Sequence, residues 1–433
     1  MIVGFCCFRL ECKLTTKVPF CFQVNVTSNH RQEEKASRQR QLDVLIADRE
    51  TPISTLDPKQ IGFIQAENID GRKFARSIAM SADGKRIAVV FKDSPQVRVY
   101  DNANDQWVQA GQGIVVQDNF SRTSCESTIS GDGNLLAAYC PGSNQIFTYR
   151  WMDNIGSWKE IANPIQLQTY SHGRAMSTDG KVLAVGMASG RLMIFRLEED
   201  KSGQNGNVFW DLSFDLYVPD ENRDKTIYGP GVAISPDGDR VVFETIRAVE
   251  VYEWNVPGEP NVWSKIAAYP ERNPLDYAFN RPVIAMSANR VAIADASTYY
   301  RVSVYGLTGE QIGADMTSYD GFCGYAPALS ADGKYLAVSC SGFSTLDFIY
   351  VFKEVNGVWK VFTKIEGEFS SLYLQMSADA SAIAIAGYWS GKSGIGVFNI
   401  FEQKESGVGG DPHFLTWHGE ERESFHGECD LVL

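Results

Sequence analysis

The sequence predicts an all-β chain built from one repeated four-stranded unit, and three observations carry that prediction. The first is a pattern of apolar run, tight turn, apolar run and alternating run, seen at 77–101 and present in seven copies along the 433 residues. The second is a tryptophan after the alternating run in five copies: Trp107, Trp158, Trp210, Trp263 and Trp359. The third is Phe63-Ile64-Gln65-Ala66, ahead of the first copy, which matches Trp107-Val108-Gln109-Ala110, while the last copy has no such strand after it. One sheet of this size cannot bury its own faces. Repeats spaced by about 50 residues therefore point to sheets arranged around an axis, a seven-bladed β-propeller of four-stranded antiparallel blades.

Each element has a local cause. In Ser81-Ala82-Asp83-Gly84, Ser and Asp can hydrogen-bond nearby backbone N–H groups, and Gly supplies the positive φ that closes a hairpin. The turn returns as Ser130-Gly131-Asp132-Gly133, Ser177-Thr178-Asp179-Gly180, Ser235-Pro236-Asp237-Gly238 and Ser330-Ala331-Asp332-Gly333. Two copies depart from it. Ser287-Ala288-Asn289-Arg290 predicts Asn289 at positive φ, and Ser377-Ala378-Asp379-Ala380 predicts a looser turn, with Ala where Gly belongs. The third strand ends each time on an aromatic: Tyr100, Tyr149, Phe195, Tyr252, Tyr305, Phe352 and Phe398. The tryptophan that follows starts an outer strand, its ring covering the gap between neighbouring sheets. The N-terminal segment then supplies the outer strand of the seventh blade and ties the ring shut.

Three regions follow: an irregular or partly helical leader over 1–59, the propeller over 60–401, and a linker with a distinct tail over 402–433. A net charge of −13 makes a nucleic-acid backbone an unfavourable partner. No apolar run approaches the ~20 residues of a membrane helix. The leader holds Cys6, Cys7, Cys12 and Cys21 in a spacing that fits no zinc pattern. The insertion at 198–207 is acidic but lacks the alternating ligands of a calcium loop, and no metal or other cofactor is expected. Sequons at Asn25 and Asn119 carry little weight, since such triplets arise often by chance.

Two cysteine pairs flank hairpins inside the ring. Counted outward from Asp132 and Gly133, Cys125 and Cys140 fall opposite each other on adjacent strands. Opposed residues there lie ~4.5 Å apart, within disulfide range. Cys323 and Cys340 repeat the placement, out of register by two residues that a bulge can absorb. Disulfides are the favoured reading and would indicate an oxidising compartment; four buried thiols are the alternative.

The repeats resemble WD-repeat and related Ser-x-Asp-Gly propellers, without the Gly-His pair and terminal Trp-Asp of a true WD repeat. In the tail, Gly410-Asp411-Pro412-His413-Phe414 through Gly419, followed by Phe425-x-Gly427-x-Cys429, resembles the opening of a von Willebrand factor type D domain. The resemblance covers about 24 residues and implies a truncated domain in an extracellular or cell-surface protein. It also implies a route to self-cleavage in which the Asp411 carboxylate attacks its own carbonyl, the Pro412 nitrogen leaves and His413 assists proton transfer.

Three function classes follow: a non-catalytic recognition module of a secreted or surface protein, an intracellular scaffold, and, third, a propeller enzyme. The positions that open the first strands, Arg76, Thr123, Arg174, Gly231, Arg281, Tyr325 and Tyr373, contain no converging acids, histidines or ligands, which disfavours catalysis. Arg76, Arg174 and Arg281 mark a candidate anion-binding rim. The expected partner is a protein or glycan, and the propeller is expected to be monomeric.

Overall fold

The computed structural model describes residues 58–403 apart from 66–74, 92–93, 95, 105, 117–124, 141–143, 170, 188–189, 200–207, 218–230, 246–247, 259–260, 270–282, 296–299, 318–320, 343–346 and 390–391. The chain divides into two units, Met1–Ile46 and Ala47–Leu433, and every described residue belongs to the second. The leader up to residue 57, the Asn119 sequon and the tail with Asp411 and Pro412 lie outside the described residues, while Pro58 and Lys59 already belong to the first strand.

Seven antiparallel blades follow one another. Blade 1 runs Ala75–Met80, Arg86–Phe91, Gln96–Ala103 and Gln106–Gln109; blade 2 runs Glu126–Ile129, Leu135–Cys140, Gln145–Met152 and Ser157–Glu160. Blade 3 is Ser171–Met176, Val182–Met187, Arg191–Glu199 and Val208–Tyr217. Blade 4 is Val232–Ile234, Arg240–Glu244, Val249–Trp254 and Trp263–Tyr269. Blade 5 has three strands, Val283–Met286, Arg290–Asp295 and Arg301–Gly306, with isolated bridges Val302–Met316 and Tyr305–Gln311 in place of a fourth. Blade 6 is Gly321–Leu329, Tyr335–Gly342, Asp347–Val355 and the first part of Val358–Met376. The remainder of that strand opens blade 7, which continues through Ala382–Trp389 and Lys392–Gln403.

Closure comes from the N-terminal strand. Pro58–Gln65 pairs antiparallel with Lys392–Gln403, setting Phe63 opposite Gly396 and Gln65 opposite Gly394. The first strand of every blade touches the first strand of the next, and the cycle returns from blade 7 to blade 1. Second strands such as Leu135–Cys140 and Val182–Met187 are buried along their whole length. They lie between two neighbouring blades, so they read as continuous apolar runs and not as alternation. Each of the seven interfaces holds its own apolar cluster.

The tryptophans occupy those interfaces. Trp263 packs with Val182, Leu192 and Ile194 of blade 3, and Trp359 packs with Val302, Val304 and Met316 of blade 5 while its Nε1 donates to the Ile312 carbonyl at 3.0 Å. Blade 5 has neither a tryptophan of its own nor a continuous fourth strand. Among the described residues, no helix is long and apolar enough to cross a membrane.

Candidate functional site

The turns form one interlocked circuit at one end of the blades. In six of the seven, the serine hydroxyl donates to the aspartate and accepts an N–H from the returning strand: Ser81 Oγ donates to Asp83 Oδ1 at 2.6 Å, and Arg86 N donates to Ser81 Oγ at 2.9 Å. At the seventh, Ser287 Oγ faces Asn289 Oδ1 at 3.3 Å. Turns also bond to one another. Ala82 N donates to the Gly131 carbonyl (2.7 Å), Asp132 N to Thr178 (3.0 Å), Thr178 N to Pro236 (2.9 Å), Ala288 N to Ala331 (3.3 Å), Ala331 N to Ala378 (2.8 Å) and Ala378 N back to Ala82 (2.7 Å). Pro236 has no N–H to pass on. At that station the Arg240 guanidinium reaches the Ala288 carbonyl at 3.3 Å instead. The polar groups of these turns are thus engaged in holding the ring together.

Both atypical turns differ from the sequence expectation. Ser377–Ala380 is not loosened: Ala380 adopts φ 64° and its N–H donates to the Ser377 carbonyl at 3.0 Å, as the glycines do elsewhere. Packing forces the αL conformation on a residue that dislikes it. At Ser287 the turn is shorter by two residues, Ser287 N donating to the Arg290 carbonyl at 2.9 Å. Positive φ is therefore not needed at Asn289, and it is not adopted there.

Of the three rim arginines, the structure describes the side chain of Arg174 alone. It is 4% exposed, paired with Glu126 of blade 2, bonded to Ser171 Oγ at 2.8 Å and stacked 4.7 Å over the Tyr139 ring. Its charge is used between blades. Arg281 and the side chain of Arg76 lie outside the described residues. On the first strand of blade 6, burial raises the Tyr325 hydroxyl above its ordinary pKa, with Tyr300 and Asp347 adding to the rise. Burial likewise holds Asp347 up, against hydrogen bonds from Ser341 and Gly342. No group of three His, Cys, Asp or Glu side chains among the described residues is placed to hold a metal ion.

Both cysteine pairs are disulfides. Cys125–Cys140 and Cys323–Cys340 join the first and second strands of blades 2 and 6 at the end remote from the turn, with Cα atoms 4.1 and 4.0 Å apart. Cys323 stands opposite Cys340, and the two-residue mismatch is absorbed between Cys323 and Pro327.

The outer strands form the remaining surface, and they differ from blade to blade. Those of blades 1 and 2 are broken into pieces of four and two residues, Gln106–Gln109 with Ile114–Val115 and Ser157–Glu160 with Ile165–Gln166, and blade 5 has bridges alone. Blades 4, 6 and 7 carry Lys265, Lys360 with Lys364, and Pro58 with Lys59 on theirs. Blade 3 presents VFWDLSFDLY, ten residues without lysine, arginine or proline. Its aromatic content is plain in the sequence, but which residues face out depends on a register shift between Ile194 and Phe195.

Fold and surfaces together define the class of molecule, a closed seven-bladed β-propeller. A chain from the crystal structure of a mitotic checkpoint complex is similar over 81% of this chain and 96% of its own, with a TM-score of 0.52 and 13% identity, a likeness of fold alone. No protein-family model and no curated protein sequence matches the chain.

Proposed function

We propose that this propeller is a non-catalytic recognition scaffold that binds other proteins through its outer edges and inter-blade loops. The carrying observation is the interlocked circuit of turns: its polar groups and the Arg174–Glu126 pair serve the ring itself, so that a rigid frame presents its remaining surface outward. The similar chain from a multiprotein complex supports a protein partner. The setting we favour is secreted or cell-surface, on the strength of two disulfides at equivalent places and of the tail's likeness to a type D domain.

Cross-linking the protein in its native extract, followed by mass spectrometry, tests the reading. The expected result is heterotypic cross-links to propeller residues. Recovery of the chain only as an uncross-linked monomer would overturn it. An anionic-glycan rim, expected at Arg76, Arg174 and Arg281, is a narrower version; with Arg174 held by Glu126, it rests on Arg76 and Arg281 and is to be dropped if their double alanine variant binds sulfated glycans unchanged. Self-cleavage at Asp411–Pro412 would leave a fragment ending at Asp411 after mild acid treatment, and intact protein would end that idea.

A further inference from the structure

Sheet edges expose unpaired backbone N–H and C=O groups, and proteins normally blunt them with lysine, proline, short strands or irregularity. Six blades of this ring carry a lysine, a proline, a broken strand or isolated bridges on the outer edge. Blade 3 carries none of these; its outer strand has a single bulge, at Ser213, and two aspartates. Its outer strand Val208–Tyr217 is the last in its sheet, with no described strand beyond it, and at ten residues it spans about 33 Å. Phe209, Leu212 and Tyr217 are 47%, 43% and 46% exposed along it, while Trp210, Phe214 and Leu216 anchor it to the interfaces on either side.

The charge at this edge has one sign. Asp211 and Asp215 are exposed on the strand, and Glu198 and Glu199 are exposed on the adjoining strand, opposite Phe209 and Val208. Asp215 is held by Arg191. The cation opposite Asp211, Arg196, stacks 4.2 Å over Trp254 and approaches Asp239 instead. Asp211, Glu198 and Glu199 thus remain without a described cationic partner.

We propose that the outer edge of blade 3 accepts an added β-strand from a partner protein, an extended segment in which basic and apolar side chains alternate. Backbone pairing supplies affinity, Phe209, Leu212 and Tyr217 supply apolar contacts, and the uncompensated acids select basic residues. A second copy of this chain fits worse. Edge-to-edge pairing about a twofold axis would bring together two strands whose only charges are acidic. This inference rests on the scaffold reading and names the partner chemistry for one of its surfaces.

The test is hydrogen exchange on the full chain with a synthetic peptide of alternating lysine and valine, about ten residues long to match the strand, and its glutamate–valine counterpart. The lysine peptide is expected to slow exchange at alternate amides of Val208–Tyr217 by about tenfold or more. The glutamate peptide should leave them unchanged, and the double variant Phe209→Lys with Leu212→Lys, both at exposed positions, should abolish the effect. Protection elsewhere, equal protection by both peptides, or none at all would overturn the proposal. In that case native cross-links mapping to other surfaces would leave the scaffold reading standing, and their absence would remove it as well.

Discussion

Gly84 shows how closely the turns depend on single residues. Its φ is 70°, and a Cβ placed there would lie 2.9 Å from Ala382 Cβ and 3.1 Å from Ser377 Cβ of blade 7. Gly84→Ala combines αL strain with overpacking and is expected to destabilise the fold by roughly 2 kcal/mol or more, read from the urea midpoint. Asp379 allows a sign to be worked out. Burial pushes its carboxyl up, but hydrogen bonds from Ser381 N and Oγ and from Ser377 Oγ outweigh burial and leave its pKa below the ordinary value. A depressed folded-state pKa stabilises the protein above the unfolded value and ceases to do so as pH falls through the folded one. Asp379→Asn should therefore be less stable than the parent at pH 7, by an amount that solvent screening keeps small, with the difference shrinking as pH falls below about 4. A difference independent of pH would contradict this account. The serine, aspartate and glycine of the turns were legible in the sequence because their roles are local. The two-residue shortening at Ser287 is visible in the sequence too, as the shorter spacing from Ser287 to Val291.

The element scale is governed by what passes between blades. Trp359 fills the interface beside the blade that lacks a continuous fourth strand, and its indole N–H is bonded there. Trp359→Ala should lower stability by about 3–5 kcal/mol and Trp359→Phe by less, and equal losses would show that ring volume is not the operative quantity. The disulfides close loops of 15 and 17 residues in sequence separation. Each is expected to contribute about 3 kcal/mol, so thermal unfolding with and without reductant should separate clearly. A non-reducing peptide map should recover Cys125 with Cys140 and Cys323 with Cys340; free thiols would argue for the intracellular scaffold. Both pairings followed from strand register, which a regular hairpin transmits over a few residues. The fate of Arg174 did not. Its partner Glu126 lies 48 residues away on another blade, and no local pattern couples the two.

At the scale of the whole molecule, stability depends on the seam where the first and last described strands, Pro58–Gln65 and Lys392–Gln403, pair. A Cβ on Gly394 would collide with the Ile64 carbonyl, so Gly394→Ala should loosen the closing strand. The expected readout is faster amide exchange over Pro58–Gln65 together with a lower unfolding midpoint, whereas unchanged exchange there would mean that closure is set elsewhere. The repeat, the number of blades, the positions of the turns and the identity of the closing strand were determined by the sequence alone. Each arises from a short-range rule: apolar runs bounded by turn residues, aromatics at a set offset, one missing strand matched by one spare. Tertiary structure alone decided which charges are used between blades, how the circuit of turns passes Pro236 with the help of Arg240, and which residues of the outer edge of blade 3 face out. Those outcomes depend on pairs of groups distant in sequence and on bulges that switch which face a side chain takes, and both exist only once the ring has closed.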